Sequence, residues 1–328
     1  MPTLTIAEAQ DLVGRTLERC RTGTDNARCV AAALVAAEAD GLKGHGLSRL
    51  PSYAAQAKIG KVDGFAVPQA SRPRAGAAIV DAGHGFAYPA ITLAETILPE
   101  MARAAGIACA GITRSHHCGA AGHPVERLAE TGLVAMLFAN TPAAIAPWGG
   151  AKAVFGTNPI AFACPLPGAA PIVVDLSLSK VARGNILAAR QKGEHIPEGW
   201  ALDAAGAPTT DPEAALAGTM LPLGDAKGTA LALMVELLAA GLTGANYAAE
   251  ASSFLDADGP PPGTGQLIIA FDPGAFDGGA AHFGRLAEMI AAQPGTHLPG
   301  SRRLAARAKA RRDGLAVSDA LLAEVAAL

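Results

Sequence analysis

The sequence predicts a mixed α/β protein in which a β-rich centre lies between helical segments from both ends of the chain. Half of its 328 residues are hydrophobic and 17% are charged, which supplies a large core and excludes a disordered chain. Short β-rich runs recur in the middle of the sequence, whereas apolar residues at helical spacing mark both termini. We therefore expect the two termini to pack together as one small helical domain.

Three helices are predicted in the first sixty residues. Thr5 and Glu8 fit a capping box, in which the Thr side chain and the Glu side chain each bond a free backbone N–H at the helix start. A second helix is predicted from residue 24 to about residue 40, where Gly41 ends it, and a third over residues 50–58.

The centre of the chain is predicted to be rich in strands, because its apolar runs are short and are separated by Gly, Pro and Asn. The predicted strands are residues 78–81, 107–113, 133–139, 151–155, 172–176 and 266–272. The predicted helices that follow or interrupt them are residues 228–242, 302–312 and 317–328, and residues 256–264 are predicted to form a turn-rich loop.

Charge and cysteine content exclude several classes of protein. The net charge of −3 gives no overall basic surface for nucleic acid, and the six basic residues within 302–312 are interpreted as a solvated helix face. No apolar run is long enough to span a membrane, and the first ten residues do not resemble a signal peptide. The five scattered cysteines favour free thiols in a reducing compartment, so we expect a cytoplasmic protein.

Several common enzyme motifs are absent from the sequence. It contains no G-x-G-x-x-G dinucleotide fingerprint, no phosphate-binding P-loop, no H-E-x-x-H zinc motif and no G-x-S-x-G nucleophile motif. Any chemistry must therefore use a less common set of residues.

The segment KGHGLSR contains the first candidate residues. His45 stands between two glycines, which allow a ligand to approach closely, and an imidazole can transfer a proton near neutral pH. Arg49 can bind a carboxylate through two parallel hydrogen bonds. This pair would suit a substrate with a carboxylate next to a carbonyl or an imine. The alternative is an ordinary loop with a solvated arginine.

Three further segments could contact a ligand. The run SHHCGAAG places His117 among small residues, which favours a loop that presents backbone N–H groups, and its spacing does not match a zinc site. Thr157 lies in a turn between two predicted strands, and Asp175 ends a strand, where it could orient a histidine. Lys227 opens an apolar helix and could form an anion site. Each segment could equally be an ordinary turn or helix cap.

Taken together, these segments resemble the second malate/lactate dehydrogenase family, a group of NAD(P)-dependent enzymes that do not use a Rossmann fold. The matching stretches keep the family's order and cover most of residues 38–273; they are DGLKGHGLSRLPSY, SHHCGAAG, APWGG, FGTNPIAFACP, VVDLSLSKVARG, IPEGWALDAAGAPTTDP and KGTALALMVELLAAGLTGA. The resemblance implies a mostly antiparallel central sheet that binds the cofactor, a helical domain built from both termini, and a homodimer.

The resemblance also implies domains and residue roles. It implies a helical domain of residues 1–65 and 295–328, a connecting, substrate and dimer region of residues 66–120, and an NAD(P)-binding domain of residues 121–294. His45 matches the proton donor, and Asp175 matches the acid near it. The expected substrate-binding residues are Arg49, Thr157, Arg183 and Gly184, and the expected cofactor-binding residues are His117, Cys118, Gly119, Ala120, Ala121, Asp175, Leu176, Ser177, Lys227, Gly300, Ser301 and Arg302. No metal is expected.

One departure from the family pattern bears on the substrate. The family usually has a serine immediately before the histidine, and this position is Gly44 here. In cyclic-imine reductases that serine is thought to assist proton transfer, so its absence favours a 2-hydroxy or 2-oxo acid of the malate, lactate or sulfolactate type. The alternatives are an NADPH-dependent reductase of cyclic 2-imino acids and a non-catalytic metabolite-binding relative. An arginine near residues 302–303 favours NADP over NAD.

Overall fold

Helices occupy most of the first sixty and the last thirty residues, and the computed structural model describes residues 2–328. The capping box of Thr5 and Glu8 forms as predicted. Within the described residues there are eleven α-helices: α1 (Ile6–Arg19), α2 (Thr24–Ala39), α3 (Leu50–Ile59), α4 (Ala87–Ala105), α5 (Gly122–Glu130), α6 (Arg183–Lys192), α7 (Pro212–Ala217), α8 (Ala226–Glu236), α9 (Ala280–Ala291), α10 (Ser301–Asp313) and α11 (Asp319–Ala326).

Strands build one large central sheet and two small ones. The strands are β1 (Thr3–Leu4), β2 (Gln69–Arg74), β3 (Ala77–Asp81), β4 (Ile107–Ser115), β5 (Val134–Ala139), β6 (Ile160–Leu166), β7 (Ala169–Leu176), β8 (Ala201–Leu202), β9 (Pro208–Thr209), β10 (Thr219–Met220), β11 (Thr264–Phe271) and β12 (Leu315–Ala316). The central sheet has the order β2-β3-β4-β11-β5-β6-β7. Its neighbours are antiparallel except for β3 and β4, which α4 connects as a parallel pair. The mostly antiparallel sheet is therefore confirmed.

Alternation along the central strands separates two hydrophobic cores. Ala108, Ala110 and Ile112 of β4 share one core with α4 and α5, whereas Cys109 of the same strand packs against the core that contains α8. Side chains of a strand point alternately to its two faces, so a single strand contributes to both cores. The small alanines on the first face let the helices lie close to the sheet.

The two ends of the chain pack against each other. Strand β1 pairs with β12, with Thr3 opposite Ala316, and a third core joins α1, α2 and α3 to Val317 and Val325. Residues 66–120 contribute β2, β3 and β4 to the same sheet as the strands of residues 121–294. The division of the chain into domains stays a prediction.

The local predictions fail in a few places. Residues 151–155 do not form a strand, and Phe155 makes only an isolated bridge with Ile145. Three residues further on, Asn158 has a left-handed backbone with a φ of 40° and Pro159 lacks an N–H, so strand pairing does not continue from Phe155 into β6. Among the described residues, five helices and two strands of the central sheet were not predicted; they are α4, which contains an internal proline, α5, α6, α7, α9, β2 and β6. The helix predicted over residues 228–242 begins at Ala226 and continues as a π-helix.

Candidate active site

A glycine-rich loop after α2 positions His45. The chain folds into two short 3-10 turns, Lys43–His45 and Leu47–Arg49, and Gly46 joins them. The carboxylate of Glu38 accepts hydrogen bonds from the Lys43 ammonium and from the Leu47 N–H, the latter at 2.9 Å. A side chain at position 46 would overlap this carboxylate, so only glycine fits there.

The imidazole of His45 is half-buried and retains a free nitrogen. Its ring stacks on that of His117, with centroids 5.2 Å apart and an angle of 22° between the ring planes. Within residues 2–328, His45 Nδ1 is buried and has no hydrogen-bond partner. Burial lowers the pKa of His45 to about 4, with further contributions from Arg49 and His123. At neutral pH this imidazole is therefore uncharged and can accept a proton.

Two buried tyrosines fix His117. The hydroxyl of Tyr53 lies 2.6 Å from His117 Nδ1 and 3.2 Å from the hydroxyl of Tyr88. Burial raises the pKa of Tyr53 to about 12 and lowers the pKa of His117 well below its usual value, so both groups are neutral. Gly119 lies directly over Tyr88 with a φ of 70°, and a Cβ there would sit 2.6 Å from the tyrosine oxygen. The turn therefore requires glycine.

Asp175 lies at the end of β7, where it binds the first turn of α5. Its Oδ2 accepts a hydrogen bond of 2.7 Å from the Gly122 N–H. Desolvation raises the pKa of Asp175, against opposing effects of Gly122 and His123. Asp175 and His45 make no hydrogen bond to each other among the described residues, so the expected orienting role does not operate through direct contact in this structure.

One cavity of about 1140 Å³ brings many of the predicted residues together. The predicted residues in its wall are His45, His117, Cys118, Gly119, Ala120, Ala121, Thr157, Asp175, Ser177, Gly300, Ser301 and Arg302. Those outside its wall are Arg49, Leu176, Arg183, Gly184 and Lys227. The roles of both sets stay predictions.

The residues outside the wall differ in how near they are. Arg49 lies close to the histidines, because its charge lowers the pKa of His45 and of His117, in both cases after burial as the larger cause. Its Nε donates to the Gly44 carbonyl at 2.6 Å, and no other side-chain hydrogen bond of Arg49 occurs within the described range. Arg183 and Lys227 are exposed, and Arg183 reaches the Leu216 carbonyl at 3.5 Å.

A buried charge network lies beside the cavity and was not predicted from the sequence. Arg303 and Arg307 of α10 each bind both Asp40, at the end of α2, and Glu126 of α5. His123 Nε2 lies 2.9 Å from Asp40 Oδ2. Residues 302–312 are therefore not a uniformly solvated face, since the side chains of Arg303 and Arg307 are only 12% and 21% exposed. The four-residue spacing of the two arginines was the available signal, because it places them on one face.

The cavity fits a dinucleotide cofactor. Its volume slightly exceeds the roughly 300–1,000 Å³ range of ligand sites, which leaves room for a large ligand. The N-terminus of α10 opens into it through Gly300, with a φ of 91°, and Ser301, so its first N–H groups can bind an anion. Arg302 is exposed in the wall and makes no ion pair among residues 2–328, whereas Arg303 is already paired. Arg302 is thus the better candidate for binding a phosphate.

Two other classes of site have no counterpart in the described part of the chain. Residues 2–328 contain no group of three or more His, Cys, Asp or Glu side chains that could hold a metal ion. In the same range no helix has the length and apolar character needed to cross a bilayer. The five cysteines are free.

Comparisons with known proteins find matches along nearly the whole chain. Residues 4–326 match the family model described as malate/L-lactate dehydrogenase. The chain is 51% identical over 326 residues to a (2R)-3-sulfolactate dehydrogenase (NADP(+)) of Chromohalobacter salexigens, covering 99% of this chain and 97% of that protein. It is 41% identical over 330 residues to a Δ1-pyrroline-2-carboxylate reductase of Ancylobacter novellus, with the same two coverages.

Solved structures agree with these matches. The crystal structure of Δ1-piperideine-2-carboxylate reductase from Pseudomonas syringae superposes with a TM-score of 0.93 at 38% identity, covering 99% of each chain. Sulfolactate dehydrogenase from Methanocaldococcus jannaschii superposes with a TM-score of 0.90 at 28% identity, covering 99% of this chain and 95% of that one. The predicted resemblance is confirmed, and the chain belongs to the malate/L-lactate dehydrogenase family.

Proposed function

We propose that this chain is an NADP(H)-dependent oxidoreductase that interconverts a small 2-hydroxy acid and its 2-oxo acid, with 3-sulfolactate and sulfopyruvate as the first pair to test. The observation that carries the proposal is the unpartnered His45 nitrogen in the wall of a cofactor-sized cavity. The full-length similarity to a protein named (2R)-3-sulfolactate dehydrogenase supports the choice of substrate.

The residues in and near the cavity have different chemical roles. NADPH, when bound, would supply the hydride. His45 donates the proton that the substrate oxygen requires in reduction and removes it in oxidation, and positioned acid–base catalysis of this kind contributes about 10²–10⁴-fold. Arg49 binds the substrate carboxylate with the nitrogens that its bond to Gly44 leaves free. Once that carboxylate neutralises Arg49, the pKa of His45 rises, so substrate binding itself prepares the acid.

The remaining predicted residues, some of them outside the cavity wall, complete the proposal. Asp175 holds the first turn of α5 against the cofactor segment of residues 117–121. Leu176, Ser177, Gly300, Ser301 and Lys227 bind the cofactor, and Thr157, Arg183 and Gly184 contact the substrate. These assignments follow the family pattern.

Preference for NADP is supported by Arg302, which we assign to the 2′-phosphate. Replacing Arg302 with Ala should raise KM for NADPH by at least tenfold and leave KM for NADH nearly unchanged. Arg311 is an exposed arginine of the same helix and provides the matched control variant. Equal losses with both cofactors would contradict the assignment.

A reductase of cyclic 2-imino acids is the second candidate. It is favoured by the similarity to proteins named Δ1-pyrroline-2-carboxylate and Δ1-piperideine-2-carboxylate reductases. The same site would then protonate an imine nitrogen. The third candidate is a non-catalytic relative, which would bind NADPH without turnover. It is favoured by Gly44, which replaces the family's usual serine.

A substrate panel decides among the three candidates. NADPH oxidation is followed with sulfopyruvate, oxaloacetate, pyruvate, pyrroline-2-carboxylate and piperideine-2-carboxylate. The proposal predicts the highest kcat/KM with a 2-oxo acid. A preference for either cyclic imine would support the second candidate, and tight NADPH binding without turnover would support the third.

A homodimer is part of the same proposal. The outer face of α8 and of the π-helical turn that follows it is apolar and exposed, with Leu233, Met234 and Leu237 exposed by 46%, 38% and 51%. Such a face favours protein association. Replacing Leu237 with Lys should shift the sedimentation of the protein from dimer to monomer. A monomeric wild-type protein would contradict this part of the proposal. A cytoplasmic location stays a prediction from cysteine usage.

A further inference from the structure

A lysine is enclosed by backbone oxygens at a distance from the cavity. Lys61 lies two residues after the end of α3 and is 3% exposed. Its Nζ donates to the carbonyls of Ser253, Asp256 and Asp258 at 2.8, 3.1 and 2.6 Å, and it lies 3.4 Å from Asp256 Oδ1. An ammonium has three N–H donors, so this set of oxygens satisfies all of them. We name these four oxygens the oxygen cage.

The oxygen cage belongs to the loop of residues 253–258, which overlaps the start of the turn-rich loop predicted over residues 256–264. The loop bends inward through local bonds, in which Ser253 Oγ accepts from the Leu255 N–H and Asp256 Oδ1 accepts from the Asp258 N–H. Its carbonyls converge on Lys61. Without a cation, three converging carbonyl dipoles would repel each other inside the protein, so the loop depends on the charge that fills it.

The same loop carries an aromatic ring onto the histidines of the site. The ring of Phe254 lies with its centroid 4.9 Å from that of His116 and 5.2 Å from that of His117. Gln56 of α3 joins the loop to the histidines, because its Nε2 donates to the Phe254 carbonyl at 2.9 Å and its Oε1 lies 2.9 Å from His116 Nε2. His117 in turn stacks on His45. A continuous chain of ring contacts, tilted between Phe254 and His117 and stacked between His117 and His45, thus leads from the loop to the proposed acid.

The geometry points to Lys61 as a positioning residue, which holds the loop in place from the oxygen cage and, through Phe254, fixes the stack of His117 and His45. Lys61 touches neither cavity nor substrate in this role. The inference rests on the proposed function for its effect on turnover, but its structural part is independent of which reaction the site performs.

The test removes the ammonium and then returns it. Lys61→Ala leaves the oxygen cage empty, and ethylammonium can enter it, whereas tetramethylammonium has no N–H to donate. In Lys61→Ala we expect a lower Tm and altered ring resonances of His116 and His117 in protein with isotope-labelled histidine. Ethylammonium should restore both, and tetramethylammonium at equal ionic strength should restore neither. Lys58→Ala, at an exposed lysine of α3, is the matched control and should change neither readout.

Steady-state kinetics is the second part of the test of Lys61. A small displacement of catalytic groups costs about 10²-fold in rate, so kcat of Lys61→Ala with sulfopyruvate and NADPH should fall by that order while KM for NADPH is kept. Because Lys61 acts through Phe254, the double variant Lys61→Ala/Phe254→Leu should be no slower than Phe254→Leu alone, and ethylammonium should not restore it.

The outcomes are distinguishable. Unchanged histidine resonances in Lys61→Ala, or kcat losses that multiply in the double variant, would overturn the inference. If Lys61→Ala does not fold, Phe254→Leu keeps the inference falsifiable, because it leaves the oxygen cage intact, and unchanged histidine resonances and kcat would show that this ring does not transmit the position of the loop. A wild-type protein that is inactive on the whole panel would refute the proposed function, and the resonance and Tm measurements would still decide on Lys61.

Discussion

Replacing Asp40 with Asn tests the buried charge network that joins α2, α5 and α10. The side chain of Asp40 is fully buried and accepts hydrogen bonds from Arg303 at 3.0 Å and from Arg307 at 2.7 and 2.8 Å, and it pairs with His123. Burial alone would raise the pKa of Asp40, but the bonds from Arg307, His123 and Arg303 outweigh it and hold the pKa well below its usual range. The carboxylate is therefore charged at every physiological pH.

The expected loss of stability follows from the arginine charges that stay buried in the variant. Breaking a buried ion pair on one side costs about 3–5 kcal/mol, because the partner charge remains buried. Glu126 still pairs with both arginines in the variant, so we expect a loss near the lower end, about 3 kcal/mol. For a chain of 328 residues that loss corresponds to a Tm lowered by about 4 °C.

Thermal unfolding across pH checks both the size and the origin of the effect. Asp40 has a depressed pKa in the folded state, so its contribution is complete above the unfolded pKa of about 3.9 and is lost as pH falls through the folded value. The Tm difference between wild type and Asp40→Asn should stay constant from neutral pH down to about pH 5 and shrink below about pH 4. Asp11→Asn removes an exposed ion pair with Arg15 and should change Tm little. A variant as stable as wild type at neutral pH would refute the reasoning.

Three further predictions concern the loop of residues 43–49, which contains His45 and Arg49. Arg49→Lys should raise the substrate KM about 10–100-fold and leave the KM for NADPH nearly unchanged, because an ammonium cannot form the paired bonds of a guanidinium; an unaltered substrate KM would count against the carboxylate role. The pKa of His45 is lowered to about 4, so the imidazole is already uncharged at neutral pH and kcat/KM for oxidation should not depend on its titration there. The value of kcat/KM for reduction should fall about tenfold for each pH unit above that pKa, because reduction needs the protonated form. Initial rates from pH 5 to 8 measure both, and a pH-independent reduction would contradict the assignment. Gly44→Ser should keep the wild-type Tm, since a Cβ there meets nothing within 4 Å, and should raise the ratio of kcat/KM for pyrroline-2-carboxylate over sulfopyruvate; an unchanged ratio would mean that this position does not select the substrate.

Local sequence signals predict the parts of the site that lie close together in the chain. His45 and Arg49 belong to one loop, and the glycines around them are a local pattern that by itself indicates close backbone approach. Asp175 lies at a strand end as the sequence predicts, but its bond to Gly122 has no local signal, because that contact depends on how β7 lies beside α5. Family resemblance predicts the sheet type, which periodicity alone does not.

Contacts between distant segments could not be predicted from one sequence. The bonds of Arg307 with Asp40 join residues 267 positions apart, and those of Lys61 with the loop near Asp256 join residues about 195 apart. A charged residue on a helix is usually solvated, so no local rule assigns it a buried partner. The helix α4 was not predicted either; it contains an internal proline, and its packing on the sheet stabilises it.

Rapid single-turnover kinetics of His45→Asn with NADPH and sulfopyruvate tests the central claim most directly. The asparagine leaves the loop and the cavity in place but cannot supply the proton, so the rate of hydride transfer should fall about 10²–10⁴-fold. The Kd for NADPH, measured by its fluorescence, should stay at the wild-type value. A variant that transfers hydride at the wild-type rate would show that another group moves the proton.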